Sequence, residues 1–201
     1  MGPLPFVSAA QAAALTLGLS PEALPREGSG SFVFDAGHLA PLGDGAPLRY
    51  SVGVEEGLGY DPAALASFVD GVLSDPRSWV GEGHAFRRVP RGGVKIVLAT
   101  PETVDWACAP LETEGEVSCA RNGYIAINLL RWEQAVPHWE GSLWEYRIYI
   151  INHEVGHYLG LRHDNRCGGA GMAAPVMMQQ SYFLDGCVGN GWPDPTRDNP
   201  R

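Results

Sequence analysis

Three histidines and one glutamate fall within eleven residues of the sequence, in the segment HEVGHYLGLRH at 153–163. On a helix, residues four apart lie one turn apart on nearly the same face, so His153 and His157 can direct their imidazole rings to one point. Gly160 allows the chain to reverse, which lets His163 supply a third nitrogen. Three neutral imidazoles leave one position of a tetrahedral zinc ion open to water, so the spacing predicts a Zn²⁺ site of the catalytic type.

Glu154 follows the first histidine and lies on the adjacent flank of the same predicted helix. From there it reaches a water on the metal without binding the metal itself, which predicts a general base. Asp164 is the alternative to His163 as third ligand, or a residue that orients it, and the motif spacing favours His163. A bare H-E-x-x-H also occurs on ordinary helix surfaces, but the longer H-E-x-x-H-x-x-G-x-x-H adds two fixed residues and is far rarer.

A long capped helix is predicted to carry this segment. Ser142 and Glu145 form an S-x-x-E capping box at its start. Gly160 should end it, because glycine tolerates the left-handed conformation that turns a chain out of a helix. The apolar residues at helical spacing are Trp144, Ile148, Ile151, Val155 and Leu159.

The preceding sequence predicts a sheet and a second helix. Strands are predicted in LRYSVGVEEGLG, AFRRV, GVKIVLAT and YIAINLL. The helix begins at Asp61 as N-cap, with Pro62 at the first helical position. Its apolar stripe is Leu65, Phe68, Val69 and Val72. The predicted class is therefore α/β (α+β): a mixed, twisted sheet with two main helices and an irregular, disulfide-tied C-terminal part.

The bulk properties fit one globular domain of 201 residues with 45% hydrophobic residues. We assign residues 48–201 to that domain and residues 1–47 to a leader or linker, with a short helix around 9–17 as the alternative. The net charge of −9 would repel a phosphate backbone, so nucleic acid is excluded as a partner. The N-terminal stretch is too short and too interrupted by proline and glutamine residues to span a bilayer. We also expect the protein to be a monomer.

The four cysteines form two local groups without C-x-x-C spacing. An even count in loop-like surroundings favours two disulfides and a secreted or extracytoplasmic location, with four buried thiols as the alternative. Four cysteines allow three connectivities, and proximity in the sequence predicts Cys108–Cys119 and Cys167–Cys187. The first pair would close an acidic excursion whose glutamates predict a solvated face, or alternatively a preference for basic substrates. These glutamates are Glu112, Glu114 and Glu116.

The chain resembles the metzincin group of zinc metallopeptidases at five positions of its motif. These are His153, Glu154, His157, Gly160 and His163. The resemblance implies a methionine in a tight turn beneath the metal, for which Met177 is preferred over Met178, although a pair of core-filling methionines is the alternative. The interval from His163 to Met177 is shorter than in most metzincins.

From about Leu48 to Trp192 the sequence looks more closely similar to a bacterial extracellular family known only as a domain of unknown function with a zincin-type signature. This likeness implies a zincin-like fold and names no substrate. The expected activity is that of a zinc metallopeptidase on peptide or protein substrates, with Glu154 as the base. Tyr182 is expected to contact the substrate carbonyl or simply to pack.

Two other functions stay open from the sequence. One is a non-catalytic, zinc-stabilised extracellular binding module, and the other is hydrolysis of a non-peptide amide by the same residues. The remaining histidines stand alone in loop-like sequence and are predicted not to bind metal. These are His38, His84 and His138.

Overall fold

A six-stranded mixed sheet forms the centre of the computed structural model, which describes residues 9–194. The strands are β1 Phe32–Phe34, β2 Leu48–Glu55, β3 Phe86–Arg88, β4 Val94–Ala99, β5 Cys119–Arg121 and β6 Tyr124–Asn128. Their order is β1-β2-β4-β6-β5, and β3 also pairs with β2. Strands β2, β3, β4 and β6 are parallel, whereas β1 and β5 are antiparallel to their neighbours. The predicted α/β class with a mixed sheet is confirmed.

Two long helices are accompanied by shorter ones. The helices are α1 Ala9–Ala14, α2 Pro62–Ser74, α3 Pro101–Cys108, α4 Leu129–Glu133 and α5 Leu143–Tyr158. The longest, α2 and α5, are the two main helices expected from the sequence. A single 3-10 turn spans Pro21–Ala23.

Helices α2 and α5 cover one face of the sheet and bury the main core between them and the strands. The Asp61 side chain caps α2 by accepting a hydrogen bond from the Ala63 amide at 2.9 Å, with Pro62 at the first position. The predicted apolar stripe of α2 is buried as expected, at 1% exposure or less: Leu65, Phe68, Val69 and Val72. Capping and periodicity therefore both identified this helix correctly.

The acidic excursion contains more regular structure than the sequence analysis assigned. Pro101 opens α3 directly after β4, a position that proline favours because its missing N–H is not needed there. Asn122 and Gly123, both with positive φ, make the two-residue turn between β5 and β6. The last strand ends at Asn128, whose side chain accepts from the Leu130 amide and starts α4, so the final leucines of YIAINLL are helical.

Both predicted disulfides, Cys108–Cys119 and Cys167–Cys187, are present. The first joins the end of α3 to the start of β5 and belongs to a small apolar cluster on the second face of the sheet. The second ties a C-terminal segment, residues 159–194, in which the described part contains no helix or strand.

The segment assigned as a leader contributes to this structure. Strand β1 pairs with β2, and Leu15 is fully buried in the main core. The Trp132 indole N–H also donates to the Leu15 carbonyl at 2.9 Å. Contacts therefore cross the predicted boundary between residues 47 and 48, and residues on both sides of it share one core. Strand β1 has only three residues, too few to show the alternation of apolar and polar residues by which a strand is predicted. The sequence therefore did not reveal it. Predictions on residues 1–8 lie outside the described residues.

No helix within residues 9–194 combines the length and the apolar character that crossing a membrane requires.

Candidate metal and catalytic site

Helix α5 carries the first two histidines and the glutamate, and both of its ends form as predicted. At the N-terminus the Ser142 and Glu145 capping box is complete. At the C-terminus Gly160 adopts φ +94°, its amide donates to the His157 carbonyl, and the Leu161 amide donates to the Gly156 carbonyl, each at 3.0 Å. This pair of bonds is a Schellman motif, which reverses the chain.

The three histidines meet through their Nε2 atoms. The His157 Nε2 lies 3.2 Å from that of His153 and 3.0 Å from that of His163. All three ligand atoms lie within 4.8 Å of one another, close enough to bind one metal ion. Two nitrogens on a tetrahedral zinc ion stand about 3.3 Å apart, since each Zn–N bond measures about 2.0–2.1 Å. The two measured Nε2–Nε2 distances are close to this value, and the three nitrogens lie near enough to one another to bind one ion.

Main-chain carbonyls set the proton positions on two of these rings. The Nδ1 of His153 lies 2.8 Å from the Val176 carbonyl, and the Nδ1 of His157 lies 3.0 Å from that of Leu161. A carbonyl only accepts, so both Nδ1 atoms carry the proton and both Nε2 atoms of the neutral rings present lone pairs. Lone pairs facing each other at 3.2 Å repel unless a cation lies between them, so the donor set fits a metal.

Burial keeps these imidazoles neutral. It lowers the pKa of His153 to about 3, and the charge of His157 adds to the effect. The pKa of His157 is also lowered by burial, as is that of His163. Because metal ligands must be deprotonated, all three rings are in the form that binds metal at neutral pH.

Glu154 is buried next to this cluster, at 6% exposure. Among residues 9–194, no group forms a hydrogen bond with its Oε2. Burial alone raises the pKa of this carboxyl to about 8, whereas a cation held by the neighbouring histidines would favour its ionised form, which can act as a base. An isolated buried carboxyl is costly unless a donor or a cation satisfies it, so this oxygen requires a group that the protein itself does not supply.

Asp164 is not a member of the three-histidine group. Its carboxylate accepts two bonds from Arg166, at 2.7 and 2.9 Å, and its amide donates to the Met177 carbonyl at 3.1 Å. The structure thus places His163 at the cluster and Asp164 beside it, where it joins the loop after α5 to the methionine segment.

Met177 lies directly against α5. A Cβ added to Gly156 would fall 2.4 Å from the Met177 Sδ and 2.9 Å from the Trp79 ring, so only glycine permits this close approach. Met178 packs elsewhere, with Ala174 and Cys187. The methionine-turn role of Met177 stays a prediction.

A cleft of about 360 Å³ opens onto the cluster. One wall is formed by Ser118, Cys119 and Ala120, at the edge strand β5. Arg121 and Tyr124 flank the two-residue turn and are therefore a hydrogen-bonded pair, so the N–H and C=O of Ala120 point away from β6 along this wall. Strand β5 was not among the predicted strands, although Asn-Gly at 122–123 is a strong hairpin signal.

Tyr182 and Glu112 line the same cleft. Tyr182 is 53% exposed, and burial together with Glu114 and Glu116 raises its pKa. Glu116 forms ion pairs with Arg131 and Arg26, whereas Glu112 and Glu114 are exposed. The acidic excursion is therefore a wall of the cleft as well as a solvated surface.

Among the described residues, the group that could hold a metal includes none of the other histidines, His38, His84 and His138. The His138 ring bonds the Gln180 carbonyl at 2.9 Å, and His84 packs edge-on against Trp79.

The chain matches a known protein family over most of its length. Residues 19–190 match the family described as "Protein of unknown function (DUF3152)". The chain belongs to this family. No curated protein and no solved structure matches it. Membership of the DUF3152 family carries no assigned activity, so the likeness to metzincins stays a prediction and the function must be argued from the site.

Proposed function

We propose that this member of the DUF3152 family is a zinc-dependent metallopeptidase that acts outside the cytoplasm. The observation that carries the proposal is the buried Glu154 carboxyl, whose Oε2 lacks a partner beside three converging Nε2 atoms. A site that only held a structural metal would have no use for an uncompensated carboxyl at this position. A base that takes a proton from an attacking water does.

The roles of the residues follow from their positions. Bound by His153, His157 and His163, zinc would act as a Lewis acid toward a peptide carbonyl and toward water. Glu154 would accept a proton from the attacking water and deliver it to the leaving amine. The carbonyls of Val176 and Leu161 hold two of the rings in orientation.

The shape of the cleft supports an extended peptide as substrate. The main-chain groups of Ala120 that face away from β6 offer a donor and an acceptor to a strand laid along the cleft. The Tyr182 ring lines the same space and presents a hydroxyl donor for a carbonyl oxygen. The two disulfides favour an oxidising compartment, which supports secretion.

Glu154→Gln tests the proposal because it keeps the size of the side chain and removes its basicity. Zinc content, melting temperature and hydrolysis of a diverse peptide library are measured on the full chain. Zinc content should hold while turnover falls by about 10²- to 10⁴-fold, the usual contribution of positioned proton transfer. The matched control is Glu140→Gln, which makes the same change at an exposed glutamate and should retain turnover.

Three results would contradict the proposal. Full activity of Glu154→Gln would mean that another residue is the base. A zinc-loaded native chain that cleaves no peptide would favour a binding module or hydrolysis of a different amide. Elemental analysis that finds no zinc, or full zinc occupancy in His153→Ala, would refute the metal site.

A further inference from the structure

The face of the sheet opposite α2 and α5 is only partly covered, by α3 and its small apolar cluster. A row of aromatic rings lies against this cluster, with Phe32 and Phe34 on β1, Tyr124 on β6 and Trp106 on α3. This row and the strand residues beside it on the same face are called here the open sheet face. Centroid distances along it are 6.3 Å from Phe34 to Phe32, 6.1 Å from Phe32 to Tyr124 and 6.3 Å from Tyr124 to Trp106. Trp106 contacts Tyr124 edge-on and is 64% exposed, so most of this large apolar side chain faces solvent.

Cationic side chains surround this row. The Lys95 Nζ lies 4.5 Å from the centroid of the Tyr124 ring, and Arg91 lines a groove with Phe32, Phe34 and Lys95. Cross-strand partners share a face, so Arg121 stands beside Tyr124. The open sheet face also includes Arg49 and Arg87, which lie directly opposite each other on β2 and β3 on the side away from the core residues Tyr50 and Phe86.

The Lys and Arg side chains of the open sheet face form no ion pair with a carboxylate among the described residues, whereas other Lys and Arg residues do. Of the fourteen Lys and Arg residues, Arg197 and Arg201 fall outside the described part, which leaves twelve. Six of these form ion pairs: Arg26, Arg77, Arg88, Arg131, Arg147 and Arg166. Among the described residues, the six without an ion pair are Arg49, Arg87, Arg91, Lys95, Arg121 and Arg162.

Five of those six lie on the open sheet face, and only Arg162, in the turn after α5, does not. The chain as a whole carries a net charge of −9. A surface with five unpaired positive charges therefore has the opposite sign to the protein as a whole. Two arginines held opposite each other on neighbouring strands also repel. An anion that binds between them would remove this cost.

We propose that the open sheet face binds an acidic polysaccharide, a linear glycan with carboxylates on its sugar rings. The apolar faces of sugar rings would stack on the Phe34-to-Trp106 row, while the surrounding cations would pair with the carboxylates. The groove of about 410 Å³ beside Phe32, Phe34 and Lys95 suits a single polymer chain. Asp35 also lines this groove, and its carboxylate is paired with Arg88.

The other polyanions fit this face less well. A peptide needs partners for its main-chain groups, and the face of a sheet offers none because its own main-chain bonds lie in the plane. An anionic bilayer is an extended surface that would meet the net negative charge of the whole chain. A single glycan chain senses mainly the charges within a Debye length, about 8 Å at physiological ionic strength.

Binding of full-length chain to oligogalacturonate tests the proposal, with neutral maltohexaose as the uncharged comparison. Affinity should fall as salt rises, and each lost cation should weaken it by roughly two- to fivefold. The combined change Arg49→Gln, Arg87→Gln and Arg91→Gln should therefore weaken binding at least about tenfold. Trp106→Ala should weaken it by about three- to tenfold through loss of stacking.

Arg162→Gln is the matched control, because it removes an equally unpaired cation that lies off the face, and binding should stay within about twofold of the native chain. Melting temperatures should be unchanged, since the substituted side chains are exposed. The proposal is overturned by an absence of oligogalacturonate binding, or by equal loss in Arg162→Gln and Arg87→Gln. Equal or tighter binding to polyglutamate, or to vesicles of phosphatidylglycerol and phosphatidylcholine, also overturns it. The open sheet face lies across the sheet from α5, so these outcomes are independent of the metal site.

Discussion

At the scale of single residues, the choice between two neighbouring side chains decides the ligand set. His163 points its Nε2 at the cluster, whereas the Asp164 carboxylate is held by Arg166. His163→Ala should lower zinc affinity by more than about 100-fold, because it removes a ligand and not a supporting group. Asp164→Ala should lower zinc affinity less, because the Asp164 carboxylate accepts from Arg166 and is not a member of the three-histidine group. Competition against a chelating dye measures both affinities, and the reverse order would make Asp164 the ligand.

The residues of this site were readable from the sequence, but the groups that orient them were not. Spacing four and then six residues apart identified His153, His157 and His163, since helix geometry and a glycine turn are both local. The carbonyls of Val176 and Leu161 are main-chain atoms present at every position, so no residue type marks them. The location of the Val176 carbonyl depends on how residues 164–178 fold back under α5, which is tertiary information, whereas the Leu161 carbonyl is positioned by the turn at Gly160.

At the scale of elements, the close contact between α5 and the methionine segment depends on Gly156. Gly156→Ala should gain about 1 kcal/mol of helix propensity. It should lose more by overpacking against Met177 and Trp79, typically 1–3 kcal/mol. We expect a net loss in the free energy of unfolding, measured by urea denaturation.

A double-mutant cycle separates this contact from general destabilisation. Met177→Ala removes the sulfur that a Cβ at 156 would meet, so its cost and that of Gly156→Ala should sum to more than the cost of the double variant. Met178→Ala makes the same change in a separate cluster and should be additive with Gly156→Ala. Additivity in both pairs would show that Met177 does not press on the helix.

The elements that the sequence revealed are the long or capped ones. Helices α2 and α5 have side-chain caps and several turns of apolar periodicity, and β2 and β4 are long enough to show their pattern. Strands β1 and β5 have three residues each, and the Thr100 side chain makes no cap bond to α3. Strand β1 forms because β2 provides its partner, which no local pattern shows, whereas β5 and α3 have the local signals Asn122-Gly123 and Pro101 that the predictions did not use.

At the scale of the whole molecule, the sheet separates two surfaces of different character. Helix α5 and the three-histidine cluster lie on the side of the main core, next to a cleft bordered by the exposed Glu112. The opposite side carries most of the unpaired cations in the described part of the chain. A net charge of −9 describes neither surface, and the absence of a run of Lys or Arg in the sequence did not predict a basic patch assembled from separate strands. The expectation that nucleic acid is not a partner stays a prediction.

The N-terminal segment tests how far the folded domain extends. Leu15 is fully buried in the main core and its carbonyl accepts from Trp132, whereas Leu19 is 46% exposed. If the segment is part of the domain, Leu15→Ala should lower the free energy of unfolding by about 2–5 kcal/mol, the usual cost of a buried leucine. Leu19→Ala makes the same change on the surface and should stay within about 0.5 kcal/mol. Urea denaturation of both variants measures the difference. Equal, negligible effects would instead restore the assignment of residues 1–47 as a leader, because a segment that does not pack cannot lose packing energy.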